Sequence, residues 1–137
     1  MLLGRPYSKT ITVPLSSIDE NGHVNNVAYL QWMQEIAVEH YAALGGSEAQ
    51  KPFGTWFVRE HRIEYFLPTF AGEEIQVRTW VENIRRVRSL RKYEFVRKHD
   101  GKILAKGETD WVFVDTKTGK PVAIPDQIRA VFMTKPI

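Results

Sequence analysis

Hydrophobic positions along the 137-residue chain follow two different periods. Between Val27 and Leu44, Tyr29, Leu30, Trp32, Met33, Ile36, Ala37, Tyr41, Ala43 and Leu44 recur at the 3.6-residue spacing of a helix. Gln31, Gln34, Glu35 and Glu39 take the opposite side. An apolar arc this wide needs a sheet or another subunit around it. Asn25 or Asn26 is placed to cap the first turn, where its side chain can accept from free amides. Gly45-Gly46 ends the helix, because glycine takes the left-handed conformation without a Cβ clash. His40 falls inside the apolar arc, which predicts a buried or interfacial imidazole.

On either side of the helix the period is two. Tyr7 to Leu15 alternates Ile11, Val13 and Leu15 with Thr10, Thr12 and Pro14, and the proline ends the strand or places it at an edge. The Gly/Pro-punctuated crossover 47–55 has room for a short helical turn. Strands are then predicted over 57–65, 74–83, 89–98 and 104–115. In the second of these, Ile75, Val77, Thr79 and Val81 share one face. The third divides less cleanly, with Leu90, Lys92, Glu94 and Val96 against Arg91, Tyr93, Phe95 and Arg97. Asp100-Gly101 makes a turn of the kind that needs positive φ. Residues 128–133 form a short helix or a final strand.

One strand, one long helix and four strands on short turns predict a single α+β domain over 1–137, with an antiparallel sheet wrapped around the helix. One helix leaves part of such a sheet uncovered. Trp80, Tyr93, Phe95, Trp111 and Phe113 are the aromatic surface expected to meet a partner subunit, so self-association is the default.

Composition narrows the classes. No run approaches about 20 apolar residues, so no membrane insertion is expected. The start Met1-Leu2-Leu3-Gly4-Arg5-Pro6 lacks the long apolar region of a signal peptide. The absence of cysteine removes disulfide and thiolate chemistry, and it fits a reducing, cytoplasmic location. His23, His40, His61 and His99 have no ligand-like spacing, so no metal is expected. Net charge is +3, but Arg78, Arg85, Arg86, Arg88, Arg91, Lys92, Arg97 and Lys98 crowd into one stretch. That stretch reads as a solvated face or as a site for a phosphate-bearing ligand. Nucleic acid is disfavoured, since no aromatic-interleaved or DNA-binding module accompanies the charge.

The run Asp19-Glu20-Asn21-Gly22-His23-Val24-Asn25-Asn26, with Tyr29 on the helix after it, resembles the D-x-x-G-H-V-N-N-x-x-Y start of hotdog-fold acyl-CoA thioesterases. The 4-hydroxybenzoyl-CoA thioesterase-like branch is the nearest match. Similar blocks follow in order: Arg62-Ile63-Glu64-Tyr65 with Pro68 and Gly72, Asp100-Gly101, Gly107-Glu108-Thr109, Trp111 to Asp115, and Gly119 with Pro121 and Pro125. The resemblance covers residues 8 to 126. It implies a hotdog fold and hydrolysis of an acyl-CoA to a free acid and CoA, with acyl-CoA as substrate and no separate cofactor. It assigns the catalytic carboxylate to Asp19, as nucleophile or as general base. Partial desolvation beside an apolar helix makes such a carboxylate more basic.

The resemblance also implies a backbone oxyanion donor after the central helix, near Gly54, Thr55 and Trp56. His23 and Asn25 are candidates to orient the carboxylate or bind the thioester. Tyr29, Trp32, Met33, Trp56 and Phe57 are candidate walls of an acyl pocket. The turn Arg85-Arg86-Val87-Arg88-Ser89 is where the nucleotide of CoA would come near, and guanidinium forks suit its phosphates. A dimer or a tetramer of dimers is the expected assembly. Some hotdog thioesterases carry the carboxylate on the central helix, which makes Glu35 a competitor. Here, however, the usual position is Gln34, and Glu35 lies on the polar side. Three other readings stay open: an acyl-carrier-protein thioesterase, a hydratase, and a non-catalytic acyl-binding protein. Hydratases pair Asp and His five residues apart, whereas Asp19 and His23 are four apart.

Overall fold

The structure, a computed structural model, describes residues 3–133; the two ends of the 1–137 span lie outside the described residues. The chain order is β1 (Leu3–Thr12), a 3-10 turn (Leu15–Ser17), α1 (Asn26–Ala43), α2 (Gly46–Ala49), β2 (Thr55–Tyr65), β3 (Glu74–Ile84), β4 (Arg88–Arg97), β5 (Ile103–Val114) and α3 (Asp126–Phe132). The strands form one sheet in the order β1-β3-β4-β5-β2, antiparallel at every pairing. Helix α1 lies against one face of it. The first strand begins earlier than its alternation predicts, because pairing with β3 extends back to Leu3 through an irregularity between Leu3 and Tyr7. Its end is as Pro14 requires. The segment after Pro125 is a helix, not a strand.

Packing explains why one helix suffices. Met33 and Ile36 are wholly buried and meet Ile75, Val77, Phe95 and Leu104 from the sheet. Gly107 on β5 lets the helix come close, since a Cβ there would lie 2.8 Å from Met33 Sδ. Asn25 caps α1 by accepting from Ala28 N at 2.8 Å, and Gly45 (φ +84°) terminates it. A second apolar cluster of Val81, Phe113, Ile124, Ile128 and Phe132 seats α3 beyond the far end of α1.

Two expectations are corrected. Tyr93, Phe95 and Phe113 are not surface for a partner: each is buried, because the alternation of β4 and β5 turns them toward the helices. The exposed large apolar side chains gather instead on and just after β2, among them Phe57 (51% exposed), Tyr65, Phe66 and Phe70. β2 is an edge strand, so one of its sides has no strand partner. The basic stretch also is not one solvated face, because Arg91 is only 4% exposed.

Gly54 joins the α2 segment to β2 at a point with no room for a side chain. A Cβ there would press on Val114 O and approach the Phe113 ring to 3.1 Å. We expect Gly54→Ala to destabilise the fold by about 2 kcal/mol, the cost of overpacking against backbone that cannot yield. Urea unfolding of wild type and variant checks this.

Candidate active site

Asp19 sits in a loop closed from several directions. Asp19 N donates to His23 O at 3.0 Å, and Gly22 N donates back to Asp19 O at 3.0 Å. Ile18 and Val24 form an antiparallel bridge. Val24 N reaches Thr69 O, and Asn25 donates to Ser17 O through both its backbone N and its Nδ2. The positive φ of Gly22 (+84°) makes this tight return possible. The carboxylate is half-buried, and its Oδ1 accepts from Asn21 N at 2.9 Å. Oδ2 has no hydrogen-bond partner among the described residues. One oxygen is therefore anchored and the other is presented, just ahead of the amino end of an 18-residue helix.

The neighbours named from sequence divide into four groups. His23 is half-buried in the same loop, with Nδ1 3.4 Å from Val24 O. Asn25 is spent largely on structure, as the cap of α1 and the tie to Ser17. Tyr29, Trp32 and Met33 belong to the core: Tyr29 bonds Thr69 Oγ1 at 2.8 Å and meets Trp32, Tyr65 and Phe95 edge-on. Phe57 points away from that core and is exposed.

Thr55 and Trp56 line a cavity of about 230 Å³ together with Ala37, Tyr41, Arg91 and Trp111. Ala37 is eleven residues into α1, about 16 Å along the helix from its first residue. Within one chain, then, Thr55 and Trp56 are not gathered around Asp19.

The expected CoA contacts also separate. Ser89 is buried and donates to Asn83 O at 2.9 Å, so it is not a surface contact for a nucleotide. Arg88 is engaged by Asp110, with Nη2 2.7 Å from Oδ2 and Nε 3.3 Å from Oδ1, and Arg59 shares the same carboxylate. The side chains of Arg85 and Arg86 are exposed and make no ion pair among the described residues. Glu35 is exposed on the outer side of α1. No three His, Asp or Glu side chains among the described residues converge as a metal site, and no described helix is long and apolar enough to cross a membrane.

Sequence reasoning missed a buried pair of which one member, Arg91, lines the cavity. Arg91 Nη1 donates to His40 Nδ1 at 2.8 Å and to Thr79 Oγ1 at 3.1 Å. A guanidinium only donates, so Nδ1 is the acceptor and the imidazole proton is on Nε2. His40 also stacks on Tyr7, with ring centroids 5.2 Å apart. Burial, and then the Arg91 charge, push the His40 pKa down to about 4. The signal was present in the sequence: Ser89, Arg91, Tyr93 and Phe95 alternate in phase, and His40 lies in the apolar arc.

Comparison with known proteins identifies the class. The model of the Thioesterase-like superfamily matches residues 13–132. The fold is the hotdog fold, and the chain belongs to this superfamily. Among solved structures, a 1,4-dihydroxy-2-naphthoyl-CoA thioesterase from Synechocystis is 18% identical, with TM-score 0.83 over 93% of this chain and 96% of that one. A predicted thioesterase from Bacillus stearothermophilus is 24% identical, with TM-score 0.82 over 96% and 99%. A DHNA-CoA thioesterase from Staphylococcus aureus is 24% identical, with TM-score 0.77 over 86% and 80%. No curated protein matches the chain.

The His40 environment gives a pH prediction. Its folded pKa of about 4 lies below the ordinary value of 6.5, so the unfolded chain takes up a proton that the folded chain refuses. Stability from this group is complete above about pH 6.5 and is lost as pH falls toward 4, by about 3 kcal/mol in all. His40→Gln keeps an acceptor for Arg91 but does not titrate. Its unfolding free energy, measured from pH 7 to pH 4, should fall less than that of wild type by about this amount.

Proposed function

We propose that the protein hydrolyses an acyl-CoA thioester to the free acid and CoA, with Asp19 as the carboxylate that attacks the carbonyl or activates water. The observation that carries this reading is the presentation of Asp19: Oδ1 is tied to Asn21 N while Oδ2 is left without a partner. Membership of the Thioesterase-like superfamily supports it, as do the names of the structural neighbours, which are CoA thioesterases. The loop restraints hold Asp19 fixed, which favours catalysis because little reorganisation is needed at the reacting atom. The amides of Asn26 and Val27 in the first turn of α1 have no partner among the described residues, since Asn25 caps only Ala28 N. They stand at the positive end of the helix dipole, where a developing oxyanion would be stabilised. His23 shares the loop and is our candidate to orient the carboxylate. Arg85 and Arg86 are the candidates for the phosphates of CoA. The cysteine-free sequence supports a cytoplasmic setting.

Self-association is part of the proposal. Helix α1 runs antiparallel to β2: Tyr29, in its first turn, meets Tyr65 at the end of β2, and Ala37 and Tyr41 share the cavity with Trp56 at its start. Pairing of β2 edges about a two-fold axis is necessarily antiparallel. It would set the Asp19 loop of one copy toward the Thr55 end of the other, and cover Phe57. That arrangement supports a composite site in which Thr55 and Trp56 act across the interface.

Two measurements test this. Asp19→Asn should lower kcat/KM for the preferred acyl-CoA by at least about a hundredfold with substrate binding retained, read by thiol release over aromatic, short, medium and long acyl chains. An unchanged rate would remove Asp19 from the chemistry. Phe57→Lys should shift the solution mass from dimer toward monomer in size-exclusion chromatography with light scattering, and activity should fall with it. A fully active monomer would remove the composite site.

A further inference from the structure

Arg91 presents a physical problem that the proposed hydrolysis does not use. Its side chain is almost wholly buried, and no carboxylate among the described residues pairs with it. Its two bonded partners, His40 Nδ1 and Thr79 Oγ1, are neutral acceptors, and both are reached by Nη1. Arginine cannot shed its charge as a buried lysine does, and a buried charge without a counter-ion is costly. The charge borders the cavity between the last turns of α1, the start of β2 and α3.

Further polar side-chain atoms near Arg91 are buried without a completed hydrogen bond. The indole N–H groups of Trp56 and Trp111 and the Tyr41 hydroxyl are buried without completing a hydrogen bond. Trp56 leans toward Tyr41 and Trp111 toward the Tyr93 hydroxyl, but neither pair reaches bonding geometry. Indole nitrogens can only donate. Gln50 Oε1 and the Tyr41 hydroxyl oxygen are the unpartnered acceptors among the described residues of the wall. The rest of the lining that matters is apolar: Ala37, Val81 and Phe132, with exposed Val38 at the mouth. A volume of about 230 Å³ is several times the roughly 30 Å³ share of a water molecule.

We propose that this cavity binds a small organic carboxylate, its oxygens on the free face of the Arg91 guanidinium and its apolar body against Ala37, Val81 and Phe132. A carboxylate supplies the missing counter-charge, and guanidinium and carboxylate match as planar forks. Apolar walls select an organic acid over inorganic phosphate. The carboxylate arrives either as a free acid or as the far end of an acyl group. The proposal does not rest on the hydrolytic reading, since it is tested by binding and not by turnover.

Trp56 and Trp111 make the cavity its own reporter. Intrinsic fluorescence is titrated with benzoate and hexanoate, with benzamide and hexanamide as neutral isosteres, with glutaryl-CoA against hexanoyl-CoA, and with inorganic phosphate. The expected result is binding of a carboxylate at least tenfold tighter than its amide, or of glutaryl-CoA at least tenfold tighter than hexanoyl-CoA. The first outcome assigns a free acid and the second an acyl-borne carboxylate. In Arg91→Met, which removes the charge but keeps an apolar chain of similar length, that preference should vanish. Equal affinity for acids and amides together with no glutaryl preference, phosphate binding as tight as the best carboxylate, or a preference that survives Arg91→Met would each overturn the proposal. Should Arg91→Met fail to fold, the wild-type comparisons of each acid with its amide and of glutaryl-CoA with hexanoyl-CoA decide. If wild type turns over no thioester yet prefers carboxylates, the hydrolytic reading fails and this one stands.

Discussion

Everything in this domain depends on the packing of one helix against one sheet. Among the described residues helix α1 has no helical neighbour over most of its length, so its apolar side is enclosed by the sheet and by α3. Gly107 sets how close the helix can come to the sheet. The Asn25 cap fixes where the helix begins, and by its bonds to Ser17 it fixes the loop that carries Asp19. The carboxylate proposed for catalysis is thus positioned by the same contacts that start the core. A change at Asn25 would act on stability and on the site together, which is why loop and helix are best understood as one unit.

The two ends of α1 have different chemistry. The amino end offers a half-buried carboxylate and amides that have no partner among the described residues, which the proposed hydrolysis would direct at a polarised carbonyl. Toward the carboxyl end lies a cavity bordered by a guanidinium that is bonded to a neutral imidazole. In a single chain these are separate places. An antiparallel pairing of β2 edges would set one beside the other from the partner copy, so a recognition element and a reacting group could belong to one composite site. The apolar surface on β2 and the segment after it gives such pairing a driving force, since exposed apolar patches of this kind are costly to leave in water.

Much of this was legible in the residues, for reasons that differ from element to element. The wide apolar arc of α1, the clean alternation of Ile75, Val77, Thr79 and Val81, and the Asp100-Gly101 turn each follow a short-range rule. Their structures obey it. The Asp19 loop was legible through its motif, because a tight return needs Gly22 and a cap needs Asn25. Arg91 was not, because charge normally marks solvent and neighbouring arginines hid the one whose phase matched Tyr93 and Phe95. Nor could periodicity say which inward residues border a cavity. Tyr29, Trp32 and Met33 lie on the same apolar side of α1 as Ala37 and Tyr41, and only the long-range pairing of the sheet separates core from pocket. The exposed apolar surface was misjudged for the same reason: strand order, which places β2 at the edge, is not a local property.

The most direct test of the central claim is a turnover in water enriched in oxygen-18, with the products separated by mass spectrometry. Hydrolysis predicts a free acid carrying the heavy oxygen, formed in step with thiol. An intact thioester that gains water across a carbon–carbon bond, or a substrate that binds and is released unchanged, would contradict the account.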